Sequence, residues 1–434
     1  LAAAMARAGQ CIVAVDTDLE GANLHTALGV PAPRTSLAEF VARRELDLER
    51  LVVDTPIPGL RLIAGTQSHL GIAQPRHFRR VELLGKLRKL SADWVLVDLG
   101  AGTHPSVMDY FLVGDDGVLV LTPEPTSVEN AYAFLRAAFY RRLRLAMTSE
   151  ATRKLVNQAM DQGNERGIRT PFDLLRAVRE SSATEGERFV AAVQGFRPRL
   201  VVNGVRTAAD VRLGFAVRSV CRKYFGLEAE YLGYVNHDDA VSEAVRARQP
   251  VVVSHPQADA AVYLTRIARK LIDDRARSRE AATRARPAPR AHTPAAAHRP
   301  PLLPHPRPLP MKSLAELDHY EVLEVPRDAR REEIERAFAL VRGAYEGDAL
   351  AGYSVVPPDE AKRWRERIDE AWRVLSDPVT RSVYDRSLDA ATAVLDAEED
   401  PFGDAGFAAE ASASRFVAAP AERAPLPAAP DAPP

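Results

Sequence analysis

Cysteine, long apolar runs and a dominant sign of charge are all scarce in this chain. Only two cysteines, Cys11 and Cys221, occur among 434 residues. That excludes a disulfide scaffold and a Cys-rich zinc site, and it fits a reducing cytoplasm. No apolar run approaches the roughly 18–20 residues that a membrane-spanning helix requires. The opening LAAAMARAG is too short and too alanine-rich for the apolar core of a secretory signal. Net charge is −1, so no global basic field advertises nucleic acid. No internal repeat is evident. Hydrophobic residues at 46% and charged residues at 27% are ordinary for a globular protein, and the length predicts two or three domains.

Proline, by contrast, is abundant and clustered. Nine of the 32 prolines fall between Pro287 and Pro310, and seven from Pro401 onward. The first cluster lies in 275–315, where nine Lys/Arg face a single acid between 275 and 312. Such a stretch cannot bury a core and reads as a solvated basic linker. The second lies in 387–434, an acidic Ala/Pro-rich segment expected to be a disordered tail. Two blocks remain, 1–274 and 316–386.

In the large block, short runs of Val, Leu and Ile alternate with helical patterns. CIVAV at 11–15, LRLIA at 60–64, WVLV at 94–97, VLVLT at 118–122, LVVN at 200–203, YLGYV at 231–235 and VVV at 251–253 read as strands. They are apolar throughout, the pattern of strands buried on both faces of a mostly parallel sheet. Ser127–Leu145, Ala208–Tyr224 and Asp259–Asp274 read as helices. The alternation predicts a doubly wound α/β domain, whose ligands bind at the carboxyl ends of strands. At those ends stand Asp16 and Asp18, two residues apart, and Asp98 followed by Gly100 and Gly102. Acids that hold a hydrated Mg²⁺, beside glycines that admit a phosphate, suit phosphoryl chemistry. Taken singly, each is more often a turn former.

The segments VAVDTDLEGANLHTALGV, DWVLVDLGAGTHPSVMDYFLVGDDGVLVLTPEPTSVENAYAFL and YLGYVNHDDAVSEAVRARQPVVVSHP resemble the MinD/ParA ATPases, most closely their FlhG/FleN branch. The resemblance covers most of 1–274 and implies a P-loop NTPase-like fold that uses ATP and Mg²⁺. Residues 146–196 depart from the pattern as a helical insertion. By resemblance, Asp18 orients the attacking water, Asp16 and Asp98 serve the metal, and Gly100 and Gly102 line the phosphates. Asn203 reads adenine, and the loop of Val235, Asn236 and Asp238 covers the base, with Asn236 where the family usually carries proline. The resemblance also implies an ATP-dependent homodimer that places flagella, division sites or chromosomes. No G-x-x-x-x-G-K-[ST] loop occurs; the nearest string, LLGKLRK at 83–89, lacks the first glycine and the hydroxyl. By resemblance Leu1 lies inside the helix that follows that loop, so the chain is expected to be a fragment. The alternative is a non-catalytic adaptor on an ATPase fold.

In the small block, Ile334, Phe338, Val341 and Tyr345 form one helical stripe, and Ile368, Ala371, Trp372 and Leu375 another. Asp328 is placed to cap the first helix, and Asp377-Pro378 to stop the second. HYEVLEV, PRDARREEIERAF, AWRVLSDP and RSVYD resemble a DnaJ-type J domain, an all-α helical hairpin. The His-Pro-Asp triplet by which J domains stimulate their chaperone is absent from 346–361. A docking role toward an unknown protein partner is expected instead. The linker lacks bulky apolar residues before Leu302, so no interfacial helix is expected. Membrane and DNA remain weakly supported partners. The expected location is the cytoplasm, with the inner membrane face left open.

Overall fold

The computed structural model describes residues 1–399 except 19–20, 32, 43, 66–76, 162–165, 169, 285–311, 313 and 346–357. Leu1–Asp377 forms one compact unit, and a second begins at Pro378.

Among the described residues seven strands, all but one of them parallel to their neighbours, organise the first unit in two sub-sheets. Strands β1 (Ile12–Asp16), β2 (Val53–Asp54), β3 (Leu60–Ile63) and β4 (Trp94–Asp98) lie in the order β2-β3-β1-β4. β1 runs parallel to β3 and β4; β2, which the sequence pattern did not reveal, is antiparallel to β3. Strands β5 (Val118–Leu121), β6 (Arg199–Val205) and β7 (Glu230–Asn236) form the second, all-parallel set. β1 shows why its run is apolar throughout. Ile12 and Ala14 enter a core with Met5, Leu62 and Ala268, while Val13 and Val15 enter another with Phe40, Leu51 and Ile63. Among the described residues β4 and β5 are each paired on one side only. A cavity of about 1220 Å³ lies against both, and Val120 in mid-β5 is 59% exposed.

The helices preceding and flanking these strands are α1 (Ala2–Arg7), α2 (Leu24–Ala27), α3 (Leu37–Val41), α4 (His77–Leu87) and α5 (Pro105–Val113). Next come α6 (Pro125–Ala146) and the insertion, α7 (Glu150–Met160), α8 (Pro171–Ser181) and α9 (Ala183–Gln194), helical as expected. The insertion shares a core with α6 through Phe139, Leu155, Val178 and Phe189. Its hub is Glu185, 4% exposed. That carboxylate accepts the Thr148 hydroxyl at 2.5 Å, the Thr152 hydroxyl at 2.9 Å and the Thr148 N–H at 3.0 Å. These donors, the Thr148 hydroxyl foremost, hold its pKa down to about 2. A depressed carboxylate stabilises the fold fully above its ordinary pKa of 4.5 and ceases to as pH falls through about 2. Glu185→Gln turns one acceptor into a donor facing donors. We expect a loss of about 1–2 kcal/mol at neutral pH. Denaturant titrations of both proteins at pH 7 and pH 3 check this, because the difference must shrink in acid.

Helices α10 (Ala208–Val220), α11 (Asp239–Arg246), α12 (Val251–Ser254) and α13 (Asp259–Arg284) complete the large block. Three expectations are corrected here. Val251–Val253 is not a strand but the short helix α12: Pro250 supplies its N-cap, and Val251 and Val252 bury their side chains in the core around α1 and α13. The helix expected to reach Tyr224 ends at Val220 and passes into a π-helical turn, Cys221–Phe225. The linker expected from 275 starts later, because α13 continues to Arg284. Residues 285–311 of the linker lie outside the described residues.

The small block contributes α14 (His319–Leu323), α15 (Arg331–Ala344) and α16 (Pro358–Ser376) to the same unit. Both predicted stripes face inward: Ile334, Val341, Tyr345, Ile368, Ala371 and Leu375 are buried, and Phe338 stacks on Trp372 at 4.7 Å. The expected cap Asp328 is not used. α15 is capped two residues on, at Arg330, whose N–H donates to Glu333 at 2.7 Å. The stretch 346–357, in which the triplet was sought, lies outside the described residues. Asp377-Pro378 does stop α16, and α17 (Pro378–Glu399) follows as a helix of 22 residues. The tail expected to be disordered from 387 is therefore helical up to Glu399; residues 400–434 lie outside the described residues. Among the described residues no helix is long and apolar enough to cross a membrane.

Candidate functional site

Parallel pairing of β1 with β4 sets Asp16 opposite Asp98 in register. The chain leaving β1 is bound to the tip of β4, since the Thr17 hydroxyl and N–H donate to the Asp98 carbonyl at 2.6 and 3.0 Å. The next turn wraps around carboxylates. Asp16 accepts the Asp18 N–H at 3.1 Å on one oxygen and the Leu24 N–H at 3.2 Å on the other. Asp18 accepts the Gly21 N–H at 3.0 Å. These bonds aim the loop so that Asp18 lies against Gly100, where an added Cβ would sit 3.3 Å from the Asp18 carboxyl carbon. Gly65, at the end of β3, comes closer still. A Cβ there would fall 2.5 Å from Ala22 Cβ and 3.0 Å from Asp16 Cγ. Only glycine lets that backbone pass.

The electrostatics follow from crowding. Burial pushes the Asp16 carboxyl above its ordinary pKa, against the pull of its two backbone donors. Desolvation raises Asp98 as well, reinforced by the neighbouring Asp16 and Asp18. Three acids on adjoining strand ends therefore repel one another, and a cation between them would relieve that repulsion. Among the described residues no three His, Cys, Asp or Glu side chains close into a metal cage. Two carboxylates fit a divalent ion that keeps most of its water and takes the rest of its ligands from phosphate, the habit of Mg²⁺. Gly102 adopts φ +96° just beyond, and Asp98, Gly100 and Gly102 border the cavity beside β4, as do Leu1 at the start of α1 and Met5 within it. LLGKLRK begins inside α4, with Gly85 in a helical turn, so it forms no phosphate loop.

The expected base-reading residues form a separate group on the second sub-sheet. Asn203 is exposed near the end of β6, beside an irregularity in the ladder at which Gly204 takes φ +74°. Val235 pairs with it across the ladder, but its side chain is in the core. Only its backbone is available to a base. The Asn236 amide faces Asp259 at 3.5 Å. Asp238 is engaged structurally: it accepts the Ala240 N–H at 3.0 Å, capping α11, and the Ala260 N–H at 3.1 Å, tying down α13. Those donors hold its pKa below the usual range. The sequence reading missed Thr17, the Leu24 amide and Gly65. A glycine immediately after the strand LRLIA was the one signal that could have drawn attention to Gly65.

Residues 318–385 match the DnaJ domain family model. The chain is 24% identical over 275 residues to the antiactivator FleN of Pseudomonas aeruginosa, covering 62% of this chain and 79% of that protein. It is 40% identical over 90 residues to the chaperone protein DnaJ of Caldicellulosiruptor bescii. That match spans 21% of each chain, about a fifth of the chaperone's length. Among solved structures it is similar to the septum site-determining protein MinD of Pyrococcus horikoshii in complex with Mg-ADP. There the identity is 19% and the TM-score 0.41, over 62% of this chain and 86% of that one.

Proposed function

For a chain that joins a MinD/ParA-like block to a DnaJ-type J domain, we propose the role of an ATP-dependent dimerisation switch in spatial positioning. The observation that carries this reading is the set of three acids at the tips of β1 and β4. Asp16 and Asp98 stand in register, and Asp18 is held by its own loop against Gly100. Asp16 and Asp98 would hold Mg²⁺, which neutralises phosphate charge when bound. Asp18 accepts a hydrogen bond from the attacking water and so positions it. The exposed amide of Asn203 offers the donor and acceptor that an adenine edge requires. FleN is called an antiactivator, and the same class of role is assigned to this chain as part of the proposal. The J domain, with no His-Pro-Asp triplet, serves docking and not chaperone stimulation.

Sedimentation of the protein expressed from its complete coding sequence tests the switch. ATP with Mg²⁺ should shift it from monomer to dimer, and ADP should not. Identical sedimentation with and without ATP would overturn the proposal. The absence of a G-x-x-x-x-G-K-[ST] loop from these residues favours a second reading, a non-catalytic adaptor. That reading predicts no binding of a fluorescent ATP analogue by the same protein.

A further inference from the structure

Glu324 is one of two non-glycine residues at positive φ among the described residues, with φ +59° at the end of α14. That conformation is costly for a side chain with a Cβ. Its carboxylate is also buried, only 6% exposed. Both costs are explained by what it meets, which belongs entirely to the large block. The Ser219 hydroxyl donates to it at 2.6 Å. Lys223 Nζ lies at 3.7 Å, Arg218 at 3.5 Å and Arg222 at 3.9 Å. All four residues come from the last turn of α10 and the π-helical turn after it. The extra residue of a π turn is a device often found at functional positions.

Lys223 completes the contact from the other side. Its side chain is 2% exposed, and its ammonium lies 5.1 Å from the Trp364 ring and 5.5 Å from the Tyr345 ring. Those rings stack on each other at 5.7 Å within the small block. A buried ammonium is thus held by one carboxylate and two aromatic faces. Burial lowers its pKa to about 8 even so. A surface meant for solvent would carry neither a buried lysine nor a strained, buried glutamate.

We propose that the docking partner of the J-like module is the large block of the same chain. Glu324 and the Tyr345/Trp364 pair are the key, and Arg218, Ser219, Arg222 and Lys223 are the receptor. Both modules belong to one chain, which raises the effective concentration of each for the other, so a modest contact closes. While it is closed, this face of the module is not open to any other protein.

Hydrogen exchange on the full chain tests the clasp with crossed readouts. Glu324→Gly suits the positive φ, so the small block keeps its fold, yet amides of Arg218–Phe225 in the other block should exchange about tenfold faster. Lys223→Met keeps the apolar stem, and the faster exchange should then appear in the small block around Tyr345 and Trp364. Amides of the mutated block away from the contact should keep their wild-type exchange, which separates undocking from unfolding of that block. Unchanged exchange on the opposite side in both variants would show that Glu324 and Lys223 do not hold the modules together.

Discussion

Asp18→Ala should slow ATP turnover by the protein made from its complete coding sequence by about 10²–10³-fold, while lengthening the lifetime of its ATP-bound dimer. The magnitude is that of removing one positioned group from a transfer whose catalysis is mostly alignment and charge stabilisation. The direction on the dimer follows because hydrolysis, not binding, ends the assembled state. Geometry singles out Asp18 over its neighbour. Both Asp16 oxygens already accept backbone N–H groups that shape the loop, so Asp16→Ala should lose the loop and ATP affinity together. Asp18 accepts the Gly21 N–H and lies at the surface of Gly100, facing the site and not the core of the loop, so its loss should spare binding. Phosphate release and sedimentation, measured on the same samples, separate the two outcomes. A turnover rate within threefold of wild type would remove Asp18 from the chemistry.

Gly214→Ala should destabilise the large block by about 2–3 kcal/mol, although alanine is the better helix former by about 1 kcal/mol. A Cβ at Gly214 would fall 2.2 Å from Tyr231 Cε2. The ring has little room to retreat, since its hydroxyl donates to the Val211 carbonyl at 3.2 Å and its edge packs on Phe215 at 4.8 Å. Overlap therefore outweighs propensity. Gly85→Ala in α4 is the internal control, with nothing within 4 Å of the added carbon. It should gain up to about 1 kcal/mol. Paired urea titrations decide the matter: equal midpoints for both variants would mean that Tyr231 yields freely.

Much of the fold was legible because burial on two faces leaves a mark on composition. The first four residues of β1 and Leu200–Val202 of β6 are apolar throughout, and all of them are buried. VVV at 251–253 bears the same mark for another reason. Its position after Pro250 makes it a helical turn that buries two valines without pairing with any strand. Composition reports burial, and only hydrogen-bond partners tell strand from helix. The acids were legible for a different reason: each alone reads as a turn former, and only their order at the ends of successive apolar runs pointed to one site. Gly65 and Thr17 were not, because each matters through a neighbour more than forty positions away in sequence, Asp16 for one and Asp98 for the other.

The scarcities of the sequence determined a good deal by themselves. Two cysteines left no disulfide scaffold, and the clustering of proline set two foldable blocks apart from the segments expected to be a linker and a tail. Local chemistry suffices for such statements, because composition sets what each segment can bury. The tertiary structure alone decided how the blocks relate. From sequence, Glu324 is one acid among 59 and Lys223 one base among 58. Their meeting, 101 residues apart and shielded from water, depends on a left-handed backbone at one and a π turn at the other. Neither conformation is encoded by residue type: Cys221 and Phe225 anchor the π turn in the core of the large block, and the buried ion pair forms only where the two blocks meet.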